Sequence, residues 1–342
     1  MDATIENVAQ LEDRLSEPTE RVVEAMRRLE GDLIVLGAGG KMGPSLARMA
    51  RRASETANVR RRILAVSRFT GENAETFLRA HGIETIRCDL LDPVQLGRLP
   101  KIVNVVFMTG MKFGATGQEA RTWAMNAYLP GMVCEQFRAS RIVAFSTGNV
   151  YGLSSVNQGG SVETDSLRPL GDYAMSCVGR ERIFEHFSRT LDVPLALLRL
   201  NYACELRYGV LADVARKVWA GESIDLATGH FNALWQADAN AMALQAFAHA
   251  ASPPFVVNLA GPELLSVRRV AEEFGRLLGN PPTFLGTESG EAFLSNGQLG
   301  HRLFGYPRVG VRQMMEWIAD WVRRGGPTLD RPTHFESRDG RF

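Results

Sequence analysis

The sequence predicts an α/β fold: a Rossmann-type doubly wound parallel sheet with a smaller C-terminal α/β substrate lobe. Three observations predict it. Short apolar runs recur that do not alternate with polar residues, so the strands are buried on both faces. Helix-compatible segments separate those runs, as parallel pairing requires. The first run, Leu33–Leu36, enters the glycine-rich turn Gly37-Ala38-Gly39-Gly40-Lys41-Met42-Gly43, and a helix opens directly after it. Glycines let the backbone turn tightly and approach a pyrophosphate, while the N–H groups and dipole of a helix start favour negative charge. A strand before and a helix after supply the context that a bare glycine pattern lacks. A glycine-rich loop between two core elements is the competing reading.

Residues 1–30 are polar with spaced apolar positions (Leu11, Leu15, Val22, Val23, Met26, Leu29) and read as an N-terminal helical extension. Pro18 starts its second helix and Gly31 ends it. It packs on the nucleotide domain or on a partner subunit. Residues 31–200 read as the dinucleotide-binding domain. Its strands are Leu33–Leu36, Ile63–Val66, Glu84–Arg87, Ile102–Met108, Arg141–Phe145 and Pro194–Leu200. Helices are expected over Pro44–Ser54, Ala74–His81, Gln118–Ala139 and Leu170–Leu191. Residues 201–326 read as the substrate lobe, interleaved with the first domain. Its helices lie near Val210–Trp219, Ala237–Ala250, Ser266–Leu278 and Val311–Arg324, with a short strand at Pro254–Leu259. Residues 327–342 form an extended, charged tail.

The chain has 39 Lys+Arg against 38 Asp+Glu, a balance that argues for neither nucleic acid nor an anionic membrane surface as a partner. Cys88, Cys134, Cys177 and Cys204 are scattered, which suggests neither a disulfide framework nor a zinc site, and no metal is expected. No stretch reaches the apolar length of a membrane span, and the acidic N-terminus is no secretory signal. A cytoplasmic protein acting on a small molecule is expected.

The second strand ends Ala65-Val66-Ser67-Arg68. An acidic residue there would bond the adenosine ribose hydroxyls and repel a 2′-phosphate. A hydroxyl and a guanidinium suit that phosphate instead, so Ser67 and Arg68, with Lys41, favour NADP over NAD. Arg68 as a plain solvated loop residue is the alternative. Asp89-Leu90, after the third strand, is placed at the adenine edge.

At the end of the fifth strand stands Ser146-Thr147-Gly148-Asn149-Val150-Tyr151-Gly152, and further on Asp172-Tyr173-Ala174-Met175-Ser176-Cys177. Over roughly residues 31–325 the chain resembles the extended short-chain dehydrogenase/reductase family, in its epimerase/dehydratase branch. Gly37, Gly40 and Gly43 match that family's cofactor turn. Val106-Phe107-Met108-Thr109-Gly110-Met111-Lys112 resembles its fourth-strand motif, and Asn126 the asparagine on the next helix. The resemblance implies that Tyr173 is the general acid/base and Thr147 orients the substrate oxygen. It also implies cofactor contacts from Met108, Thr109, Gly110, Lys112 and Asn201, and a homodimer paired through the helices carrying Asn126 and Tyr173. Met125, Met132 and Phe137 are compatible with that pairing face.

The chain departs from the family at Cys177, four residues after the tyrosine, where a lysine is expected. That lysine lies on the tyrosine's helix face, lowers its pKa and holds the nicotinamide ribose. A neutral thiol does neither, so Cys177 reads as a small apolar filler rather than a nucleophile. Two cations offer a replacement. Lys112 is preferred because a lysine at the matching place occurs in the UDP-galactose epimerase group. Arg180 shares the helix face of Tyr173 but lies nearly two turns away, roughly 10 Å along the axis.

In the second lobe, Arg199-Leu200-Asn201-Tyr202 and Asn232-Ala233-Leu234-Trp235-Gln236-Ala237-Asp238 resemble family segments, but no arginine stands between Lys217 and Arg268 to grip a nucleotide diphosphate. A sugar, sugar acid or related hydroxy compound without a nucleotide is therefore expected, with Trp235 either a sugar platform or plain core. Arg207, Arg331 and His334 are offered as carboxylate partners, and Glu163 and Glu205 as extra bases. Gly148-Asn149 stands where dehydratases carry an acidic pair, which disfavours dehydration. A simple oxidoreductase and an epimerase stay equally open. The competing class is a cofactor-binding sensor that has lost catalysis with its lysine.

Overall fold

The computed structural model describes residues 4–112, 116–331 and 333–340. Its centre is a seven-stranded parallel sheet. The strands are β1 (Leu33–Leu36), β2 (Ile63–Ser67), β3 (Glu84–Arg87), β4 (Asn104–Phe107), β5 (Arg141–Thr147), β6 (Leu195–Leu200) and β7 (Phe255–Leu259), in the spatial order β7-β6-β5-β4-β1-β2-β3. Strands β1 and β4 are buried along their whole length, because helices cover both sheet faces. The expected Pro254–Leu259 strand does not belong to the second lobe. As β7 it pairs with β6 in the main sheet, Val257 beside Leu198, after a long crossover through residues 203–250.

The chain winds outward from β1 through β2 to β3, then returns to β4 on the other side of β1. Strand order reverses there, and the crevice beyond the carboxyl ends of such strands is where open α/β sheets bind ligands. Register brings the key residues to that one edge. Leu36 pairs with both Val66 and Phe107, and Phe107 with Ala144, so Gly37, Ser67, Met108 and Thr147 emerge together.

Before the sheet, α1 (Val8–Leu15) and α2 (Glu20–Arg28) bury Leu11, Leu15, Val22 and Met26 in the core shared with β1. Thr19, not Pro18, starts α2: its Oγ1 accepts a hydrogen bond from the Val22 amide at 3.1 Å. Around the sheet run α3 (Gly43–Thr56), α4 (Glu72–Ala80), the short α5 (Pro93–Gly97), which sequence reading missed, and α6 (Glu119–Trp123). Then follow α7 (Leu129–Gln136) and α8 (Gly171–Leu191).

The helix expected over Gln118–Ala139 is not continuous. A π-helical turn, Ala124–Tyr128, separates α6 from α7. Pro130 has no N–H to give the Asn126 carbonyl, so that carbonyl accepts from Arg180 Nε at 3.3 Å instead. Phe137 is fully buried, and Met125 and Met132 pack inward with it. The exposed apolar residues of this surface are Trp123, Tyr128 and Met175, so the face proposed for pairing from Met125, Met132 and Phe137 is the inner one.

The C-terminal lobe comprises α9 (Val210–Ala220), α10 (Gln236–Gln245), α11 (Val267–Leu278), α12 (Gln298–Phe304) and α13 (Val311–Arg323) with three two-stranded ribbons, and a fourth pairs Glu291–Ala292 with Ser154–Ser155 of the first domain. It is sewn to the sheet. Gln236 and Asn240 on α10 both donate to Ser45 Oγ on α3, at 3.1 and 3.0 Å. Trp235 is buried against Trp317, ring centroids 5.6 Å apart, and is core rather than a sugar platform. Among the described residues, no helix is long and apolar enough to cross a membrane.

Candidate active site

Two adjoining cavities occupy the crevice. One, about 700 Å³, is lined by Gly39, Ser67, Arg68, Phe69, Asp89 and Leu90, among others. The second, about 310 Å³, is lined by Lys41, Lys112, Thr147, Tyr173, Arg180 and Tyr208, among others. The glycine turn floors both. Gly37 sits at φ +89°, in the region that glycine alone adopts without strain, and an added Cβ would press on Thr109. A Cβ on Gly43 would lie 2.4 Å from the Ala38 carbonyl, so only glycine lets α3 begin that close to the turn.

Tyr173 lies in the first turn of α8, and Thr147 ends β5. Both line the smaller cavity, and the Thr147 hydroxyl favours the ionised form of the Tyr173 phenol. Thr147 is held by Asn149, whose amide donates to its Oγ1 at 3.2 Å. Beneath them, Ser146 donates to Glu181 Oε1 at 2.6 Å, and Glu181 forms a buried ion pair with Arg199 at 2.7 Å. Arg199 also donates to the Tyr151 hydroxyl at 2.7 Å. This paired, fully bonded network locks the end of β5 to α8.

The charges around Tyr173 divide between two cations. Burial pushes its phenol well above the ordinary range, and Cys177 adds to that; Arg180 and the Thr147 hydroxyl pull the other way. Although its Cα is seven residues on, Arg180 extends to line the same cavity. Its guanidinium is buried and donates to the Phe145 carbonyl at 2.8 Å and to Asn126 Oδ1 at 2.7 Å. Arg180 is thus a cation acting on the phenol, beside the Lys112 that the sequence favours for that part. Lys112 is close as well: its Nζ lies 5.9 Å from the Tyr173 ring centroid. Burial pulls its ammonium down to about 8, opposed by the neighbouring Cys177. Cys177 itself is buried, its thiol pushed up first by burial, and it packs with Val150 and Tyr151.

The profile of the "NAD dependent epimerase/dehydratase family" matches residues 33–229. The chain belongs to this family. Among solved structures, MoeE5 in complex with UDP-glucuronic acid and NAD is similar at 21% identity and a TM-score of 0.69, covering 86% of this chain and 100% of that one. UDP-glucuronic acid 4-epimerase from Bacillus cereus, in complex with UDP-glucuronic acid and NAD, is similar at 17% identity and a TM-score of 0.71, covering 86% and 99%. DesIV, a dTDP-glucose 4,6-dehydratase from Streptomyces venezuelae, gives 18% identity, a TM-score of 0.72, and coverage of 86% and 97%. No curated protein matches the sequence. The fold is that of the extended short-chain dehydrogenase/reductases, and the protein is an NAD(P)-dependent enzyme of that type.

The crevice of this epimerase-family member fits a dinucleotide on its own geometry. Thr109 Oγ1 is buried without a hydrogen-bond partner and borders the larger cavity, and the glycine floor is open where any Cβ would intrude. Gly37, Gly39, Gly40, Ser67, Arg68, Asp89, Leu90, Met108, Thr109 and Gly110 all border that larger cavity, the side where the sequence leads one to expect the adenosine half. Met42, Gly43, Lys112, Tyr173 and Asn201 border the smaller one.

Other expected residues are placed differently. Lys41 does not join Arg68: its Nζ donates to the Ala203 carbonyl at 3.0 Å and lies 3.6 Å from the Tyr208 ring centroid, tying the turn to the second lobe. Asn126 lines neither cavity. It accepts from the Met111 amide at 2.9 Å and donates to Ser176 Oγ at 2.9 Å, so it clamps the loop after β4 to α8. Glu205 is a buried partner of Arg207, which also pairs with Glu12, so neither serves as base or carboxylate receptor. Glu163 accepts from the Asn258 amide at 2.8 Å. Sequence reading missed Tyr208 altogether; no signal short of the fold brings it above Lys41.

Proposed function

We propose that the protein is an NADP-dependent oxidoreductase or epimerase acting on a secondary hydroxyl of a sugar, sugar acid or related hydroxy compound that carries no nucleotide. The observation that carries this reading is that Thr147 and Tyr173 share the wall of the cavity floored by the glycine turn. A nicotinamide dinucleotide supplies a hydride acceptor or donor there when bound. Thr147 and Tyr173 hold one substrate oxygen between them. Tyr173 takes the proton of that hydroxyl during oxidation and returns it during reduction.

The two tasks of the absent lysine are divided. Arg180 supplies the charge that favours the phenolate, and Lys112 supplies the ammonium that holds the cofactor beside it. The preference for NADP is supported by Ser67 and Arg68 at the end of β2. The substrate class is supported by the stretch from Val218 to Val267, which contains no Lys or Arg, and the choice against dehydration by Asn149 in place of an acid on the cavity wall.

A second reading, a cofactor-binding sensor, is favoured by one observation: the thiol beside Tyr173 raises its phenol instead of lowering it. One experiment separates them. The purified protein is incubated with NADP or NAD and a panel of sugars and sugar acids, following reduced-nicotinamide absorbance and, for epimerisation, the stereochemistry of the recovered sugar. Either signal is expected. Tight nucleotide binding with silence in both channels across the panel sinks the catalytic reading and leaves the sensor.

A further inference from the structure

Among the described residues, only five border both the adenosine-half and nicotinamide-half cavities: Gly37, Gly40, Met108, Gly110 and Arg331. The first four are the floor, supplied by the ends of β1 and β4. Arg331 comes from the C-terminal tail and is the one charged member. We propose that Arg331 binds the pyrophosphate of the dinucleotide, making the tail the roof of the cofactor site; this rests on the dinucleotide reading above.

A group that borders both halves of the crevice stands where the two halves of a dinucleotide join, and the joint is the doubly charged pyrophosphate. The glycine turn approaches it from below with backbone N–H groups. Arg331 adds from the C-terminal tail a planar fork of donors that suits phosphate oxygens. The surrounding field agrees. A third cavity of about 350 Å³, which shares Gly110 and Arg331 with the other two, is lined by Arg68, Lys112, Arg121 and Arg331 and by no carboxylate. Within the roof, the positive charge of Arg331 bears on Tyr208, the residue whose ring carries the Lys41 ammonium.

The tail is held in place by contacts that do not use Arg331. The Thr333 amide and hydroxyl both donate to Asp213 Oδ2, at 2.8 and 2.6 Å. Phe335 is buried in the core, and Arg338 donates to the Ala227 and Glu291 carbonyls at 3.0 and 2.7 Å. Gly340 packs on the backbone of Leu170, beside the start of α8, where a Cβ would find no room. Arg331 itself is exposed at the lip, so its replacement leaves this anchorage intact.

The test is a set of binding titrations on full-length wild type, Arg331→Ala and Arg331→Lys, using NADPH, NADH, ADP-ribose and 2′-AMP. Loss of one charged phosphate contact predicts that Arg331→Ala weakens NADPH, NADH and ADP-ribose alike by about tenfold. 2′-AMP, which lacks a pyrophosphate, is unaffected, and Arg331→Lys recovers part of the loss. Unchanged affinity for the three pyrophosphate ligands overturns the assignment. So does a loss confined to NADPH and 2′-AMP, which moves Arg331 to the 2′-phosphate, or an equal loss for all four, which makes the tail merely structural. A wild-type protein that binds none of the four would instead bring down the dinucleotide reading itself.

Discussion

The adenosine half of the cleft takes its lining from residues 37–125, apart from Arg331, whereas the nicotinamide half draws on segments scattered from Gly37 to Thr333. The first is assembled by the unbroken βα succession from β1 to α6 and needs only that half of the sheet to exist. The second needs β5, α8, the second lobe and the tail all in place. Their chemistry differs in the same direction. Arg68 stands exposed in the adenosine half, while Cys177 is buried, Lys112 and Tyr173 are half-buried, and desolvation is the largest influence on all three. The contrast teaches that nucleotide binding and chemistry are separable here, and substitutions in the two halves should separate them.

The largest effect is expected at the buried half. Tyr173→Phe removes the proton carrier and keeps the ring that Lys112 faces. Turnover should fall roughly a hundred- to ten-thousandfold, the usual contribution of a positioned general acid/base, with nucleotide affinity nearly unchanged. Single-turnover kinetics beside a binding titration check this. A fall in affinity as steep as the fall in rate would mean that the two halves are not separable.

The same contrast explains what the sequence disclosed. The glycine turn, Ser67-Arg68 and Asp89-Leu90 are local signals: each lies within a few residues of the strand end that places it, so reading the strands read the site. Thr147 and Tyr173 are singled out by the family resemblance, and the fold sets both on the wall of one cavity. The residues that hold these in place were not legible. Arg180 acts through the reach of its side chain, and Pro130 decides its partner by leaving the Asn126 carbonyl open. Lys41 turns away from Arg68 because Ala203 and Tyr208, more than 160 residues on, accept it. β7 read as a lobe strand because its crossover from β6 is itself most of a lobe. Arg331 carries no local pattern at all.

An intermediate effect tests which lysine of the buried half serves the cofactor. Burial holds both Lys112 and Lys41 at about 8, well below an ordinary lysine. Each is therefore charged below that pH and neutral above it. If Lys112 supports an anionic nucleotide, wild-type affinity falls as pH rises through about 8. Lys112→Arg, which stays protonated, removes the fall, while Lys112→Ala binds weakly on both sides of it. Lys41→Arg leaves the fall in place. Titrations across neutral to alkaline pH decide the matter, and a fall abolished by Lys41→Arg but not by Lys112→Arg would assign it to the turn.

The smallest effect belongs to the exposed half. Arg68 borders the adenosine-half cavity from solvent, where water screens charge, so one phosphate contact there is worth less than a buried one. Arg68→Ala should reduce the preference for NADPH over NADH by about tenfold at low salt and by less as salt rises. NADH affinity should stay put, because the guanidinium of Arg68 has no 2′-phosphate to meet in that ligand. Turnover at saturating nucleotide should stay put as well, because Thr147, Tyr173 and Arg180 line the other cavity and keep their hydrogen bonds. If Arg68→Ala instead lowered NADH binding equally, the guanidinium would be working on a phosphate common to both nucleotides, and the adenosine half would have no means on this strand of telling them apart.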